Sequence, residues 1–517
     1  MRPSLCSFVF ATHRVMKRSS LILVTVDCLR SDRIGFRGYL HPVTPFLDSL
    51  AKTSIVVSDA IVAGAPTYFS LPAIVASRYP LAMGREMLGI APQEPTIATA
   101  MQGSGYATGA FLAGNPYLSP RFGYDQGFDE FHDFLDSRLS GVSTLPSPPG
   151  NSTFSKLNRE LEAMARRTTL TAAAYHELYF RYCQWRSATE DISLDQLRRY
   201  PAADVLVSKA CSWLNGLRDR PFFLWIHLMD PHHPYYPPQE ALSSLGISKM
   251  SATRARFLNS SWNRGDIGPR RLQRYRAEIL SLYDAGVHWV DNQLSRLMET
   301  LRRLHRWDET VFVVTADHGE EFLEHGDRYH SPTSLPEELI HVPLLVRVPG
   351  LSAATISSGL FSLIHLAPTL LEAVGAEVPA SFQGRSHWGQ IASGNIPSEP
   401  AIVECTEESD NAPRNSDRTR PRLMAVRDGN LKLLIRFSDQ TDHLYDLEND
   451  PGEHSPVADG VQKKERVRLL QLAREHLRES KRGRDVESVV RMKLREIRQS
   501  MGCKSAGVLQ SRPTTRG

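Results

Sequence analysis

Acidic residues and a histidine follow two apolar segments of the sequence, at the point where each segment ends. Asp27 comes directly after the apolar run 21–26, and Asp317 and His318 come directly after the run 311–316. Carboxylate oxygens and an imidazole nitrogen at such positions can hold one divalent cation between them. Taken alone, Asp27 is typical of a turn, but the adjacent Asp317 and His318 after a buried run favour a metal site. The three residues are therefore predicted metal ligands.

The segment 65–72 offers two hydroxyl groups, those of Thr67 and Ser70, at the start of an apolar helix. Proline is tolerated in the first turn of a helix, so Pro72 predicts a helix start between Thr67 and Leu71. A hydroxyl there faces free backbone N–H groups and the positive end of the helix dipole, which favour a phosphate or sulfate oxyanion. A bound metal ion would activate Thr67 for attack on phosphorus or sulfur; without the neighbouring carboxylates, Thr67 is a plain helix cap.

Histidines are dense after a third apolar run, 222–226, and again after His318. They are His227, His232, His233, His325 and His330. A histidine loop beside a strand end can bind a second cation or stabilise a leaving oxygen, although a single histidine is more often structural. Clustering near the predicted strand ends favours His232 and His330 over the other three as functional residues.

The elements that must position these residues follow from the same runs. Short, continuous stretches of apolar and β-branched residues are typical of strands buried on both faces of a parallel sheet. In open α/β sheets ligands bind beyond the carboxyl ends of the strands, so one crevice could gather all the candidates. Apolar residues at helical intervals predict a helix within 282–304. The predicted fold class is α/β, with a doubly wound, mixed but mostly parallel sheet flanked by helices.

Changes in composition predict the domain organisation. Residues 1–18 are an N-terminal extension, and 19–400 form the catalytic domain, which includes an irregular helical insertion at about 140–280. Short strands and turns over 401–460 predict a small antiparallel C-terminal α+β subdomain. Residues 461–517 read as a basic helical tail with a disordered end.

Charge, cysteine usage and hydropathy exclude several classes of protein. The 517-residue chain carries 61 Lys and Arg against 57 Asp and Glu, and this small excess predicts no nucleic-acid partner. No apolar run approaches the roughly 20 residues of a membrane-spanning helix, so no integral membrane segment is predicted. The six scattered cysteines indicate free thiols and a cytoplasmic location. The weakly apolar segment 5–11 leaves export open, although translation from Met16 explains it at least as well.

A series of short motifs runs in order from about residue 20 to residue 455. They are Val26-Asp27-Cys28-Leu29-Arg30-Ser31-Asp32, Thr44-Pro45-Phe46-Leu47-Asp48, Arg78-Tyr79-Pro80, Gly103-Ser104-Gly105-Tyr106, Gly127-Phe128-Asp129, Asp317-His318-Gly319, His341-Val342-Pro343-Leu344-Leu345 and Leu444-Tyr445-Asp446-Leu447. In this order they resemble the sulfatases of the alkaline phosphatase superfamily. The resemblance implies an alkaline phosphatase-like catalytic domain and cleavage of sulfuric or phosphoric esters.

The nucleophile position departs from the sulfatase pattern. Sulfatases place a Cys or Ser, oxidised to formylglycine, about eleven residues before an Arg-Tyr-Pro motif, and Thr67 stands at that distance from Arg78. Threonine cannot become formylglycine. The rival register puts Ser70 in the nucleophile position, but its spacing to Arg78 is shorter and the residues after Pro72 do not match. The resemblance therefore favours Thr67.

Further departures separate the chain from typical sulfatases. Cys28 stands where many sulfatases have a second metal-binding Asp, and Asn115 stands where a sulfate-binding Lys is expected. By contrast, Asp317-His318 with His330, and the loop around His232, resemble the metal and substrate histidines of phosphoethanolamine transferases, which use a Thr nucleophile.

The sequence thus predicts a metal-dependent hydrolase of small-molecule or glycan sulfate or phosphate esters. Thr67 is the expected nucleophile, His232 and His330 its catalytic partners, and Asp27, Asp317 and His318 hold Ca, Mn, Mg or Zn, with one or two ions per site. A phosphodiesterase or phosphoethanolamine-type transferase is the first alternative, and a non-catalytic binder of sulfated or phosphorylated glycans is the second. The oligomeric state stays open.

Overall fold

The computed structural model describes most of the chain between residues 19 and 482. The described residues are 19–84, 87–135, 160–161, 164, 169–188, 192–217, 219–247, 249–331, 333–351, 353–396, 399–409 and 420–482. The predicted N-terminal extension, 1–18, and the end of the predicted tail, 483–517, lie outside them.

The strands of the described chain form three sheets. In chain order they are β1 (Ser20–Val26), β2 (Ile55–Ile61), β3 (Ala107–Leu112), β4 (Glu130–His132), β5 (Phe222–Leu228), β6 (Thr310–Ala316), β7 (Glu321–Phe322), β8 (Arg328–Tyr329), β9 (His341–Arg347), β10 (Thr355–Ser362), β11 (Ala401–Thr406), β12 (Arg422–Asp428), β13 (Leu431–Arg436) and β14 (Thr441–Asp446). The central sheet has eight strands in the order β10-β2-β9-β6-β1-β5-β3-β4, and β7 and β8 pair as a short ribbon.

The central sheet is mixed but mostly parallel, which confirms the predicted fold class. Only β9 runs antiparallel to its neighbours β2 and β6; every other described pair in this sheet is parallel. Every residue of β1, β5 and β6 is buried, as expected for strands covered on both faces. Because β1, β2, β5 and β6 share one direction, the residues that follow them meet at one edge of the sheet.

Helices flank the sheet. They are α1 (Pro45–Ala51), α2 (Thr67–Ala76), α3 (Ile97–Gly103), α4 (Thr169–Ala188), α5 (Leu194–Leu197), α6 (Ala203–Gly216), α7 (Gln239–Ser244), α8 (Ala252–Trp262), α9 (Pro269–Arg303), α10 (Glu337–Ile340), α11 (Leu366–Ala373), α12 (Trp388–Ala392) and α13 (Lys463–Arg482). The helix predicted within 282–304 is the second half of α9, whose buried stripe includes Val290, Leu294, Leu297 and Leu301.

The start of α2 agrees with the prediction, but the place of its proline does not. The helix begins at Thr67, within the predicted interval, and Pro72 lies inside it, beyond the first turn. The proline removes one N–H donor from the helix, and the whole of α2 is buried. Tertiary packing therefore holds a helix that the local proline rule would shorten.

The C-terminal part of the described chain is an antiparallel sheet in the order β11-β12-β13-β14, covered by α13. Leu469 and Ala473 of α13 share a buried cluster with Met424, Val426 and Leu433 of the sheet. The predicted boundary at 460 therefore needs correction: the sheet buries its apolar face under the helix, so 463–482 packs with the C-terminal sheet and is not part of a separate tail.

The predicted insertion at about 140–280 includes a strand of the central sheet, so its bounds also need correction. This interval contains β5, which pairs with β1 and β3 at the centre of the sheet, and the first part of α9. The helical additions that remain are α4 to α8. Within the described residues, no helix has the length and apolarity to cross a bilayer.

Candidate active site

Asp27 lies at the end of β1 and is fully buried. Its backbone N–H donates to Leu228 O at 2.8 Å, which continues the pairing of β1 with β5 and fixes the carboxylate at the sheet edge. Oδ2 lies 3.4 Å from Thr67 Oγ1 and 3.4 Å from His227 Nε2. Oδ1 lies 3.5 Å from His318 Nε2. The two oxygens of Asp27 therefore face different neighbours.

Asp317 and His318 follow β6, which lies directly beside β1 in the sheet. Both residues are fully buried. His318 Nδ1 donates to the carbonyl of Gly319 at 2.8 Å, so Nε2 of the neutral ring carries a lone pair. That lone pair faces Thr67 Oγ1 at 3.1 Å. Gly319 is required because any Cβ there would collide with the Glu338 carbonyl. The turn thus aims one imidazole nitrogen into the site.

Thr67 is the first residue of α2 and enters the site from the loop after β2. Its hydroxyl contacts both His318 and Asp27, at the distances given above. Ser70, the alternative nucleophile, is fully buried, and its Oγ has no hydrogen-bond partner among the described residues. The geometry therefore brings Thr67, and not Ser70, into contact with the predicted metal ligands.

The chemistry of these groups suits a cation site. Asp27, His227 and Asp317 offer ligand atoms within 4.8 Å of one another, as do Asp27, Cys28 and His318. Asp317 Oδ2 and His227 Nε2 are buried without a hydrogen-bond partner in the described chain. Burial of carboxylates and imidazoles with unused lone pairs is costly unless a cation joins them. The residues present therefore fit a divalent ion.

The pKa values of Asp27 and Asp317 shift in opposite directions. Burial and the negative charge of Asp27 raise the pKa of Asp317 to about 6. Burial also opposes ionisation of Asp27, but interactions with the imidazoles of His232, His227 and His318 outweigh it and hold the pKa of Asp27 well below its usual value. Two carboxylates this close repel each other unless a positive charge lies between them.

A second group of ligand atoms adjoins the first. Cys28 Sγ, His232 and His330 have ligand atoms within 4.8 Å of one another. His330 Nδ1 lies 3.5 Å from Cys28 Sγ and 3.3 Å from Glu320 Oε1. Burial raises the pKa of Glu320 to about 7 and lowers the pKa of His330 well below its ordinary value. The structure thus brings both predicted histidines to the edge of the Asp27 site.

Cys28 connects the two groups. Its thiol lies 3.1 Å from Asp27 Oδ1, and burial with the charge of Glu320 raises the thiol pKa well above its usual value. The backbone of Cys28 has a φ of 62°, a left-handed conformation that is uncommon outside glycine. Tyr283 of α9 donates its hydroxyl hydrogen to Cys28 O at 2.8 Å and accepts the N–H of Arg30 at 3.0 Å, which holds this turn in place.

The remaining predicted histidines have different surroundings. His227 is buried beside Asp27, and its Nδ1 lies 2.9 Å from Thr25 Oγ1, which accepts the indole N–H of Trp225. The ring of His233 packs on Tyr329, with centroids 4.2 Å apart. His325 pairs with Glu338 at 3.3 Å. Of these three, only His227 contacts the predicted metal ligands.

The sequence patterns favour His227 less than His232 and His330, and they do not indicate Asn115, Cys28 or Glu320 as site residues. The amide of Asn115, which replaces the lysine of the family pattern, donates to Asp27 Oδ2 at 3.3 Å. Cys28 replaces the aspartate of the family pattern, and its sulfur lies among the ligand atoms. A signal existed for three of the four: Cys28, His227 and Asn115 lie at or just beyond the ends of β1, β5 and β3.

Comparisons with known proteins agree with this architecture. The sequence model of the sulfatase family matches residues 19–376, and that of the C-terminal region of N-sulphoglucosamine sulphohydrolase matches residues 328–481. Arylsulfatase K of Xenopus laevis is 26% identical over 50% of this chain and 52% of its own length. The multifunctional alkaline phosphatase superfamily protein PehA of Trinickia caryophylli is 24% identical over 50% of this chain and 56% of its own. The matches span about half the length of these curated relatives.

Solved structures share the fold over nearly the whole chain. The structure of BT4656 with its substrate D-glucosamine-2-N,6-O-disulfate covers 90% of this chain and 98% of its own, with a TM-score of 0.65 and 18% identity. The phosphonate monoester hydrolase of Agrobacterium radiobacter covers 90% of this chain and 96% of its own, with a TM-score of 0.61 and 17% identity.

Proposed function

Because this chain belongs to the sulfatase family, we propose that it is a metal-dependent hydrolase of sulfuric or phosphoric esters in which Thr67 is the nucleophile. One observation carries the proposal: Thr67 Oγ1 lies 3.1 Å from His318 Nε2 and 3.4 Å from Asp27 Oδ2, at the N-terminus of a buried helix. A hydroxyl in contact with predicted metal ligands is positioned as an activated nucleophile.

The proposed primary ligands are Asp27, Asp317 and His318, with the Thr67 hydroxyl completing the set. Oxygen and nitrogen donors suit Ca, Mg, Mn or Zn. When bound, the ion would lower the pKa of the Thr67 hydroxyl and stabilise negative charge on the ester oxygens. The proposed role of His232 and His330, whose ligand atoms lie within 4.8 Å of each other and of Cys28 Sγ, is to bind the transferred group or a second ion.

The residues of the chain have defined tasks in this reaction. His318 Nε2 lies 3.1 Å from Thr67 Oγ1, so the two atoms are close enough to share one ion. Free N–H groups in the first turn of α2 favour an anion in front of Thr67. Thr67 Oγ1 bonds to sulfur or phosphorus as the bond to the leaving oxygen breaks, and the proton that Thr67 loses balances the one the leaving oxygen gains. Water then cleaves the threonine ester and restores the hydroxyl.

A phosphoric or phosphonic ester is the second candidate substrate class, and the threonine itself favours it. Formylglycine can release sulfate without a second attack on sulfur, whereas an ester on Thr67 needs displacement at the central atom. Asn115 contacts Asp27 where a sulfate-binding lysine is expected from the family resemblance. The similar fold of a phosphonate monoester hydrolase is consistent with this candidate. Transfer to an acceptor other than water, as in phosphoethanolamine transferases, is the same chemistry with a different second step.

Small molecules or glycans bearing the ester are the proposed substrates. The name N-acetylglucosamine-6-O-sulfatase belongs to a relative in Bacteroides thetaiotaomicron that is 26% identical over 42% of this chain. We also propose a reducing, cytoplasmic environment, because Cys28, Cys183, Cys211 and Cys405 are free thiols.

A substrate panel tests the proposal. Purified protein loaded separately with Ca, Mg, Mn or Zn is assayed on an aryl sulfate, a phosphate monoester, a phosphodiester and a phosphonate monoester. Hydrolysis of at least one ester class, lost when a chelator removes the metal, supports the proposal and identifies the ester that the protein cleaves. Binding without turnover of any ester with any metal supports the non-catalytic alternative instead.

A further inference from the structure

The loop between α5 and α6 is fixed against the histidine loop of the site. The hydroxyl of Tyr200 donates to the carbonyl of His233 at 3.2 Å, and its ring meets the ring of His232 edge-on, with centroids 5.2 Å apart. Arg198 donates to the carbonyl of Tyr236 at 3.1 Å and pairs with Asp195. Arg199 lies between these two anchored residues, so its backbone is held at the rim of the site.

Arg199 differs from its neighbour in having an exposed side chain that forms no hydrogen bond or ion pair with the described residues. No carboxylate or carbonyl of the described chain binds its guanidinium, whereas the Arg198 guanidinium binds both Tyr236 O and Asp195. Unpaired arginines on a rigid loop keep their charge and their donors for another molecule.

The charge of Arg199 reaches the groups that surround the mouth of the site. Burial raises the pKa of Tyr236 to about 12, and the positive charge of Arg199 opposes that rise. Tyr200 contacts both His232 and His233, and Tyr329 packs on His233, so Arg199, which adjoins Tyr200 in the chain, lies beside the rings that border the histidine loop.

The chemistry of this rim suits an anionic, ring-bearing substrate. The half-buried rings of Tyr200, Tyr236 and Tyr329 offer flat apolar faces, and Arg199 offers a planar set of donors that matches a carboxylate, sulfate or phosphate. We propose that Arg199 binds a second anionic group of the substrate, separate from the ester that is cleaved. This inference rests on the proposed function, since it assigns the substrate class of the same site: esters that carry an additional negative charge.

Equilibrium binding tests the inference without turnover. The full-length, metal-loaded protein is titrated with benzenesulfonate and with 4-sulfobenzoate, which adds a carboxylate to the same ring. We expect the wild-type chain to bind the dianion about tenfold more tightly, as one charge-assisted contact allows. Arg199→Gln should remove this preference, and Arg199→Lys should keep part of it. The preference should shrink as salt is raised.

Arg303→Gln is the matched control. Arg303 is exposed at the end of α9, just before β6 begins, and so lies toward the opposite edge of the sheet. The Arg303→Gln substitution removes the same charge and should leave the preference for the dianion unchanged. Melting curves confirm that each variant is folded. A wild-type chain with no preference, an unchanged preference in Arg199→Gln, or an equal loss in Arg303→Gln would overturn the inference.

The outcomes separate this inference from the proposed function. A chain that binds the dianion through Arg199 but hydrolyses no ester contradicts the proposed function alone. A chain that hydrolyses esters while Arg199→Gln keeps the wild-type preference contradicts the Arg199 assignment alone.

Discussion

The Oγ1 atom of Thr67 lies 3.1 Å from Nε2 of His318, across the gap between the first turn of α2 and the end of β6. The Gly319 carbonyl occupies the other ring nitrogen of His318, so the lone pair of Nε2 has a fixed direction. This contact joins the predicted nucleophile to the predicted metal ligands, two sets of residues that are far apart in the chain.

Replacing Thr67 tests its role against that of Ser70. Thr67→Ala should lower turnover by at least about a thousandfold, because loss of a nucleophile leaves only binding and charge stabilisation. Metal content should fall little, since Asp27, Asp317 and His318 persist. Thr67→Ser should keep measurable turnover, and Ser70→Ala should stay near the wild-type rate. Steady-state kinetics with metal analysis measures all three; a fully active Thr67→Ala enzyme would return Ser70 to consideration.

Cys28→Asp should change which metal the protein prefers. The thiol lies 3.1 Å from Asp27 Oδ1, and sulfur favours Zn over the harder ions Mg and Ca. An aspartate there replaces a soft donor by a hard one and tolerates the left-handed backbone well. Competition between Zn and Mg, followed by metal analysis, should show a lower preference for Zn in Cys28→Asp than in the wild-type chain. An identical preference would remove Cys28 from the ligand set.

Lys432→Met should destabilise the fold through the C-terminal unit. Lys432 is fully buried on β13, where its ammonium group lies 2.7 Å from Glu453 and 3.3 Å from Glu337 and donates to Leu335 O. Removing the ammonium group leaves the carboxylates of Glu337 and Glu453 without this positive partner. Breaking a buried ion pair in this way typically lowers the free energy of unfolding by about 3–5 kcal/mol. Urea denaturation measures the loss. Lys464→Met, at an exposed position on α13, is the control and should stay within about 0.5 kcal/mol of wild type.

Asp291→Asn should show a pH-dependent effect on stability. The buried Asp291 carboxylate accepts the N–H groups of Phe46 and Leu47, and burial raises its pKa to about 7. When folding raises the pKa of a carboxyl group, the protonated group stabilises the fold fully at pH values below the pKa that it has in the unfolded chain. This contribution is lost as the pH rises through the folded-state pKa of about 7. The neutral amide has no such loss.

The free energy of unfolding of Asp291→Asn, relative to wild type, should therefore improve between about pH 5 and pH 8. Chemical denaturation at the two pH values measures the difference. A difference between the two proteins that is independent of pH would contradict the assigned ionisation of Asp291.

The sequence was most informative where local chemistry and topology coincide. The runs that became β1, β5 and β6 are apolar throughout because both faces of each strand are buried, and the direction of parallel strands brings the residues after them together. For this reason Asp27, Asp317 and His318 could be placed near one another before the fold was known.

Contacts that depend on the packing of distant loops could not be predicted in the same way. The amide of Asn115 reaches Asp27 only because the loop after β3 folds over the end of β1. The charged segment 463–482 resembles a solvated helix, and only the buried face of the C-terminal sheet explains why Leu469 and Ala473 are covered. Pro72 lies inside α2 because tertiary burial outweighs the local rule for proline.

The most direct test of the central claim is to identify the residue that forms the covalent ester. The substrate from the panel with the highest turnover is mixed with metal-loaded protein, the reaction is stopped in acid within the first turnover, and peptide fragmentation locates the adduct by mass spectrometry. We predict one added sulfuryl or phosphoryl group on Thr67, absent from Thr67→Ala. An adduct on Ser70, or rapid turnover with no adduct while Thr67→Ala keeps full activity, would contradict the account.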